Sequence, residues 1–280
     1  MSFFKRLLKI YKDSVLQASK VCLSQAALIP IVIAGYCAFA FLFSFVSSMS
    51  LGIAGGFLLG LLQLSFITYI YKWVILAKEH RLPSLAKLGA VSDDDPWAHV
   101  KRKQRGMWYQ EAIGFDTELF LLIINAAFPI FIVEFAVSFS TNTAISLPVF
   151  LKLGIVFLFN PLPEVILLTR TNGLSAISEA LLFIKSHLLE WFAPILLFFS
   201  PLLLLVGSTS TWLQSVILLM ASSEVLIPGE LIGRPLAEVI GPMLPIGPIP
   251  GFIIGTVVGV WISLFRLELF ERLQSLPEIR

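Results

Sequence analysis

The sequence predicts an all-α fold, a polytopic transmembrane helical bundle of about six spans with interfacial amphipathic helices. Two observations predict it. Of the 280 residues, 57% are hydrophobic and 14% are charged, whereas about a quarter of a soluble domain is charged. The apolar residues also lie in long runs separated by charged clusters. Residues 1–280 are therefore expected to form a single integral membrane domain.

The first segment, 1–20, is predicted to be a basic amphipathic helix at the membrane interface. Apolar residues recur at helical spacing, and lysine and arginine occupy the other faces. The apolar set is Phe3, Phe4, Leu7, Leu8, Tyr11, Val15 and Ala18. A helix of this kind lies on an anionic leaflet, either to sense lipid or simply to anchor the chain before the first span.

The first two apolar runs, 21–47 and 51–77, are predicted spans. Because the turn between them is short, they should form a tight antiparallel hairpin. Pro30 lies inside the first run. Gly56 and Gly60 give the second run a small face that permits close helix contact.

The polar stretch 78–116 is predicted to be a cytoplasmic loop. It contains an acidic triplet at 93–95 and a basic run at 101–105. Adjacent carboxylates aim poorly at one ion, and a basic run beside a membrane usually contacts the inner leaflet. A solvated loop is therefore favoured over a metal site, and no nucleic-acid partner is expected.

The third and fourth spans are predicted at 117–138 and 147–169. Pro129, Pro161 and Pro163 interrupt them, and each such kink frees backbone carbonyls that other groups must satisfy. A second amphipathic helix follows at 174–190 and runs into the fifth span at 191–207.

The segment 208–250 is predicted to be an irregular or re-entrant outer-face segment. Its apolar part, 212–227, is short for a span, and three interpretations stay open: it spans, re-enters or lies on the outer face. The last span is predicted at 251–265. Gly251, Gly255 and Gly259 form a small-residue stripe along it, which is typical of helix packing.

The distribution of basic residues predicts the orientation. With both termini in the cytoplasm, only Lys152 and Arg234 of the 20 Lys and Arg residues fall on the outer side. The positive-inside rule therefore favours this topology, in a cell membrane of the bacterial inner-membrane type. A seventh span at 212–227 would place the C-terminal arginines outside.

Two pairs of polar residues are candidates for a polar pathway or for structural pairing between the third and fourth spans. Glu134 and Lys152 are equidistant from the turn, and Asn125 and Asn160 are nearly level. Asn125 and Glu134 should point about 180° apart on an ideal helix. One pair is therefore expected to form, and not both.

Glu164 is the first candidate for a functional site. It follows the broken stretch Asn160-Pro161-Leu162-Pro163. A carboxylate beside an interrupted helix is typical of ion or solute sites in transporters. It is equally compatible with a place near the inner interface, because Arg170 is close in sequence.

No enzyme signature is present in the sequence. Walker, HExxH, GxSxG and dinucleotide-binding motifs are absent, and Cys22 and Cys37 do not have metal-ligand spacing. No catalytic activity, cofactor or metal is expected.

The stretch from Gly173 to Leu181, GLSAISEAL, leads into a span through Lys185 and Trp191. Together with the order of the hairpins, it resembles the YciC-like proteins and the membrane domain attached to glycerophosphodiester phosphodiesterases. Those families typically carry a serine where Phe183 stands here. The resemblance implies a bacterial inner-membrane helical bundle and no catalytic residues.

Two functions follow as hypotheses. The first is a non-enzymatic membrane protein that acts by association with lipid, with a protein partner or with a second copy of itself, in a scaffold or accessory role. The alternative is a transporter or channel for a small solute, ion or lipid, which would use Glu134, Lys152, Asn160 and Glu164.

Overall fold

The computed structural model describes residues 3–49, 51–79, 82, 114–139, 154, 158–206 and 248–276. All regular secondary structure in these residues is helical, as the sequence predicts. In chain order the helices are α1 (Phe3–Ser24), α2 (Leu28–Ser48), α3 (Gly52–Lys78), α4 (Thr117–Phe139), α5 (Leu162–Thr169), α6 (Gly173–Val206) and α7 (Pro248–Gln274).

Three described helices are long and apolar enough to cross a membrane. The qualifying segments are Leu28–Ser48 in α2, Ala54–Lys78 in α3 and Phe252–Gln274 in α7. A fourth apolar segment, Thr117–Ile130 in α4, is shorter. Within α2 only Leu28 and Val32 are buried by the rest of the chain, so most of its apolar surface faces outward. These helices indicate a membrane protein.

The chain divides into two compact units, and the unit Val21–Phe120 contains α2 and α3. These helices form an antiparallel hairpin joined by the short connection 49–51. The Tyr69 hydroxyl donates to the Ile31 carbonyl at 3.4 Å, and Phe39 stacks on Phe66 with ring centroids 4.5 Å apart. Within this unit the Lys72 ammonium also donates to the Gly114 carbonyl.

The glycine that allows close contact in this hairpin is Gly35, and not the pair predicted. A Cβ added at Gly35 would lie 2.5 Å from the Tyr69 ring. Gly56 and Gly60 are exposed, and a Cβ at either would meet nothing within 4 Å. Among the described residues, α3 turns a different face toward α2, and helix packing at Gly56 and Gly60 stays a prediction.

The first predicted span begins later than expected. Helix α1 continues to Ser24, a turn occupies Gln25–Ala27, and α2 starts at Leu28. Pro30 therefore lies in the first turn of α2, at the start of the segment that could cross a membrane. A proline in that turn costs no hydrogen bond, since the first N–H groups of a helix have no intrahelical partner.

The other unit comprises Met1–Lys20 and Leu121–Arg280, and in it α5, α6 and α7 pack against one another. Helix α6 is interrupted at His187, whose φ of −133° is not helical. The final helix runs from Pro248 to Gln274, beyond both predicted ends. Residues 248–250 belong to the segment predicted to be irregular or re-entrant, but Pro248 and Pro250 occupy the first turn of this helix, where proline is tolerated.

Two predicted segments lie largely outside the described residues. Of the loop 78–116, the structure describes only the two ends and Leu82; of the segment 208–250, it describes only the first turn of α7. Helix α4 starts where the sequence predicts, because the Asp116 carboxylate accepts the Leu119 N–H at 2.9 Å and so caps it.

Candidate functional site

A buried ion pair between Arg266 of α7 and Glu164 of α5 forms the centre of the site. The Arg266 Nε donates to Glu164 Oε1 at 2.6 Å, and one terminal guanidinium nitrogen donates to Oε2 at 2.9 Å. Arg266 is 6% exposed and Glu164 is 3% exposed. This two-point geometry is the strongest form of an arginine–carboxylate contact.

Asn160 connects the ion pair to α6 through two different groups. Its backbone carbonyl accepts a hydrogen bond from Arg266 at 2.6 Å, and its side-chain oxygen accepts one from the Trp191 indole N–H at 2.8 Å. The Arg266 guanidinium carbon also lies 5.2 Å from the centroid of the Trp191 ring. That position gives a cation–π contact in addition to the hydrogen bonds. We call Asn160, Glu164, Trp191 and Arg266 the arginine clasp.

Aromatic rings cover one side of the arginine clasp. Phe183 packs on Phe270 with centroids 4.3 Å apart, and Trp191 meets Phe183 edge-on at 5.3 Å. Trp191 and Phe270 are fully buried. The clasp therefore joins three helices in a water-poor environment, where charge interactions are stronger than in water.

The local sequence explains how α5 presents Glu164. Asn160 and Pro161 form a turn that interrupts the helical conformation, and α5 begins at Leu162 with Pro163 in its first turn. Glu164 also lies in that first turn, where the helix dipole favours a negative charge. The break leaves the Asn160 carbonyl outside α5, and Arg266 supplies its donor. A proline-interrupted helix in a membrane requires such a donor, because other groups of the protein must satisfy the carbonyls that the proline frees.

A close approach between α4 and the start of α6 fixes the position of α6. A Cβ added at Gly173 would lie 2.7 Å from the Asn125 carbonyl oxygen. Only glycine fits there without movement of the backbone.

Three contacts with α6 and α7 attach the first helix to the same unit. The Tyr11 hydroxyl donates to the Glu190 carbonyl at 2.7 Å, and the Trp261 indole donates to the Ser19 hydroxyl at 3.0 Å. Asp13 and Arg272 form a longer, partly exposed ion pair at 3.8 Å. Burial, and then the charge of Glu190, raise the pKa of Tyr11 above its ordinary value.

The predicted site residues have different places in the structure. Asn160 and Glu164 are together in the arginine clasp. Asn125 has an exposed side chain. The partner of the Asn160 amide is Trp191 and not Asn125. The Glu134 side chain and all of Lys152 lie outside the described residues, although Glu134 belongs to α4. Gly255 and Gly259 are buried in α7, while Gly251 is described only as part of the helix backbone.

Sequence reasoning missed Arg266 and Trp191. The predicted last span ends at residue 265, so the sequence places Arg266 just outside it, on the cytoplasmic side. The apolar residues that follow it, Leu267, Leu269, Phe270 and Leu273, are all buried and were the available signal that the packed helix continues. In the described part of the chain, no group of three or more His, Cys, Asp or Glu residues is placed to hold a metal ion.

Comparisons of this chain with family models, with curated proteins and with solved structures found no match.

Proposed function

We propose that this chain is a non-enzymatic multi-pass membrane protein that acts by association, with lipid or with a protein partner. In this proposal it has about six spans and both termini on the cytoplasmic side of a bacterial inner membrane. The resemblance to YciC-like and related membrane domains belongs to the same proposal. The expected role is that of a scaffold or accessory protein.

The observation that carries the proposal is the pairing of the best polar candidates with groups of the chain itself. Glu164 accepts both of its hydrogen bonds from Arg266, and Asn160 is engaged by Arg266 and Trp191. A solute or ion would have to displace these contacts before it could bind. Groups satisfied in this way favour a structural role over a transport site.

The test is to purify the full chain from its native membrane after mild cross-linking, and to quantify proteins and lipids that remain bound. The proposal predicts a reproducible partner, a second copy of the chain or a retained lipid class. A purified protein that carries none of these and catalyses saturable solute flux in liposomes contradicts the proposal.

Transport is retained as a second candidate because a buried charged pair adjoins the break at Asn160 and Pro161. Interrupted helices with charged groups are the usual architecture of transporter sites. In a liposome flux assay, Glu164→Gln would abolish flux if the carboxylate bound the solute. Unchanged flux, or no flux by the native chain, removes Glu164 from that role.

A further inference from the structure

The side of helix α1 that is buried against the protein overlaps the predicted apolar face only in part, at Ala18. Its buried residues are Ser14, Ala18 and Val21, whereas the predicted apolar face included Leu8, which is 61% exposed. At 100° per residue, the buried residues cluster on one side of the helix. The opposite side is the one left for an external partner.

That outward side is basic with interspersed leucines. Its lysines and leucines all lie within about 80° of one another on the helical projection. They are Lys5, Lys9, Lys12, Leu16, Lys20 and Leu23, and all of them are exposed. We call this set the basic face of α1. Cationic groups with interspersed apolar side chains match a layer of phosphate headgroups over acyl chains.

Two features of the chain identify the membrane as the partner of this face. The turn Gln25–Ala27 leads directly into Leu28–Ser48, a helix long and apolar enough to span the bilayer, so α1 ends beside the membrane surface. The contact of Tyr11 with Glu190 holds the other side of α1 against the protein, and the contact of Ser19 with Trp261 lies at the edge of the basic face, whose own residues stay exposed. The basic face is thereby kept outward.

We propose that the basic face of α1 is a binding surface for anionic phospholipid headgroups. This inference rests on the proposed function and specifies its lipid component. Charge selects the lipid: an anionic headgroup gains Coulomb attraction from the lysines, whereas a zwitterionic one gains little. The attraction is screened by salt, because the lysines are exposed.

The experiment measures lipid selectivity of the full-length protein reconstituted in bilayers, by electron paramagnetic resonance of spin-labelled phosphatidylglycerol and phosphatidylcholine. We expect phosphatidylglycerol to be preferred by about fivefold, the gain that one lysine gives beside an anionic surface. The preference should disappear in the K5Q/K9Q/K12Q/K20Q variant and shrink at high salt.

Two control variants make the result specific. K5R/K9R/K12R/K20R keeps the charges and should keep the selectivity. K78Q/K185Q removes two lysines elsewhere and should also keep it. Equal association of both lipids with the native protein, or a preference that survives loss of the four lysines, overturns the inference. Lysine-dependent binding of RNA without lipid selectivity overturns it as well. If any of these results overturns the lipid inference, a protein partner bound in the cross-linking experiment would still support the proposed function.

Discussion

Arg266 and Glu164 are two charges removed from water, and their energetic role follows from that fact. Each would be costly to bury alone, and their attraction roughly offsets the loss of hydration only because the geometry is good. The Asn160 carbonyl and the Trp191 ring provide further contacts to the guanidinium. The pair is thus expected to specify how α5 and α7 meet more than to add net stability.

Removing one partner of the pair should be strongly destabilising. Glu164→Met leaves the Arg266 charge buried without its counter-ion, and we expect a loss of about 3–5 kcal/mol in the free energy of unfolding. The measurement is unfolding in mixed detergent micelles. Asp13→Asn is the matched control, because the partly exposed pair with Arg272 is worth at most about 1 kcal/mol. Equal effects of the two substitutions would contradict this account of the buried pair.

Tyr11 gives a prediction for pH. Its pKa is raised in the folded protein, so the unfolded state loses the phenol proton first as pH increases. The stability linked to this group is complete below the ordinary pKa of 10.0 and falls above it. Between pH 9 and 11 (about one unit either side of that pKa), the free energy of unfolding should therefore fall less steeply for the Tyr11→Phe variant than for the native chain. Identical pH dependence of the two proteins would refute the role assigned to Tyr11.

At the scale of elements, the structure distinguishes glycines that are required from glycines that are tolerated. Gly173 meets the Asn125 backbone, whereas Gly56 faces open space. Both were visible in the sequence, but the small-xxx-small pattern favoured Gly56. The pattern reports which faces are small, and cannot report which face meets a neighbour.

This difference predicts opposite effects of the same substitution. Gly173→Ala should destabilise the fold by about 1–3 kcal/mol, because the added methyl group forces α6 away from α4. Gly56→Ala should be neutral or should stabilise α3 by up to about 1 kcal/mol through helix propensity. Thermal unfolding of both variants in the same detergent tests the pair. A larger loss for Gly56→Ala would show that this glycine packs against another molecule.

The helix boundaries show how far periodicity and proline rules extend. Apolar run length located α2, α3 and α7, and Asp116 marked the start of α4. The observed boundaries differ from the predicted ones near two prolines at helix starts. Pro30 and Pro250 both lie in the first turn of a helix. The position of a helix start depends on the preceding residues and not on proline alone.

At the scale of the whole molecule, the sequence predicted the class of protein better than its polar contacts. Hydropathy carries the membrane assignment because it is a sum over many residues. The partner of Glu164 is distant in sequence. It is determined by the packing of α5 against α7, and no local sequence pattern predicts that packing. The candidate partners of Glu134 and Asn125 were matched by their depth in a hairpin, and depth does not determine which helix each side chain faces.

The proposed topology predicts that the C-terminus is cytoplasmic. An alkaline phosphatase fused after Arg280 should be inactive, and a fluorescent protein fused there should be bright, since the first requires export and the second does not. An additional span at 212–227 would reverse both signals. Fusions at the N-terminus should agree with those at the C-terminus if the number of spans is even.

The central claim, that the arginine clasp is structural in a protein that acts by association, is tested most directly by the double variant Glu164→Met with Arg266→Met. Replacing both charges with apolar side chains of similar size removes the ion pair without leaving a buried charge. We expect thermal stability close to that of the native chain, and the same copurified partner or lipid after cross-linking. A double variant that folds with native stability but loses its copurified partner or lipid, or loses a measurable flux, would contradict the claim.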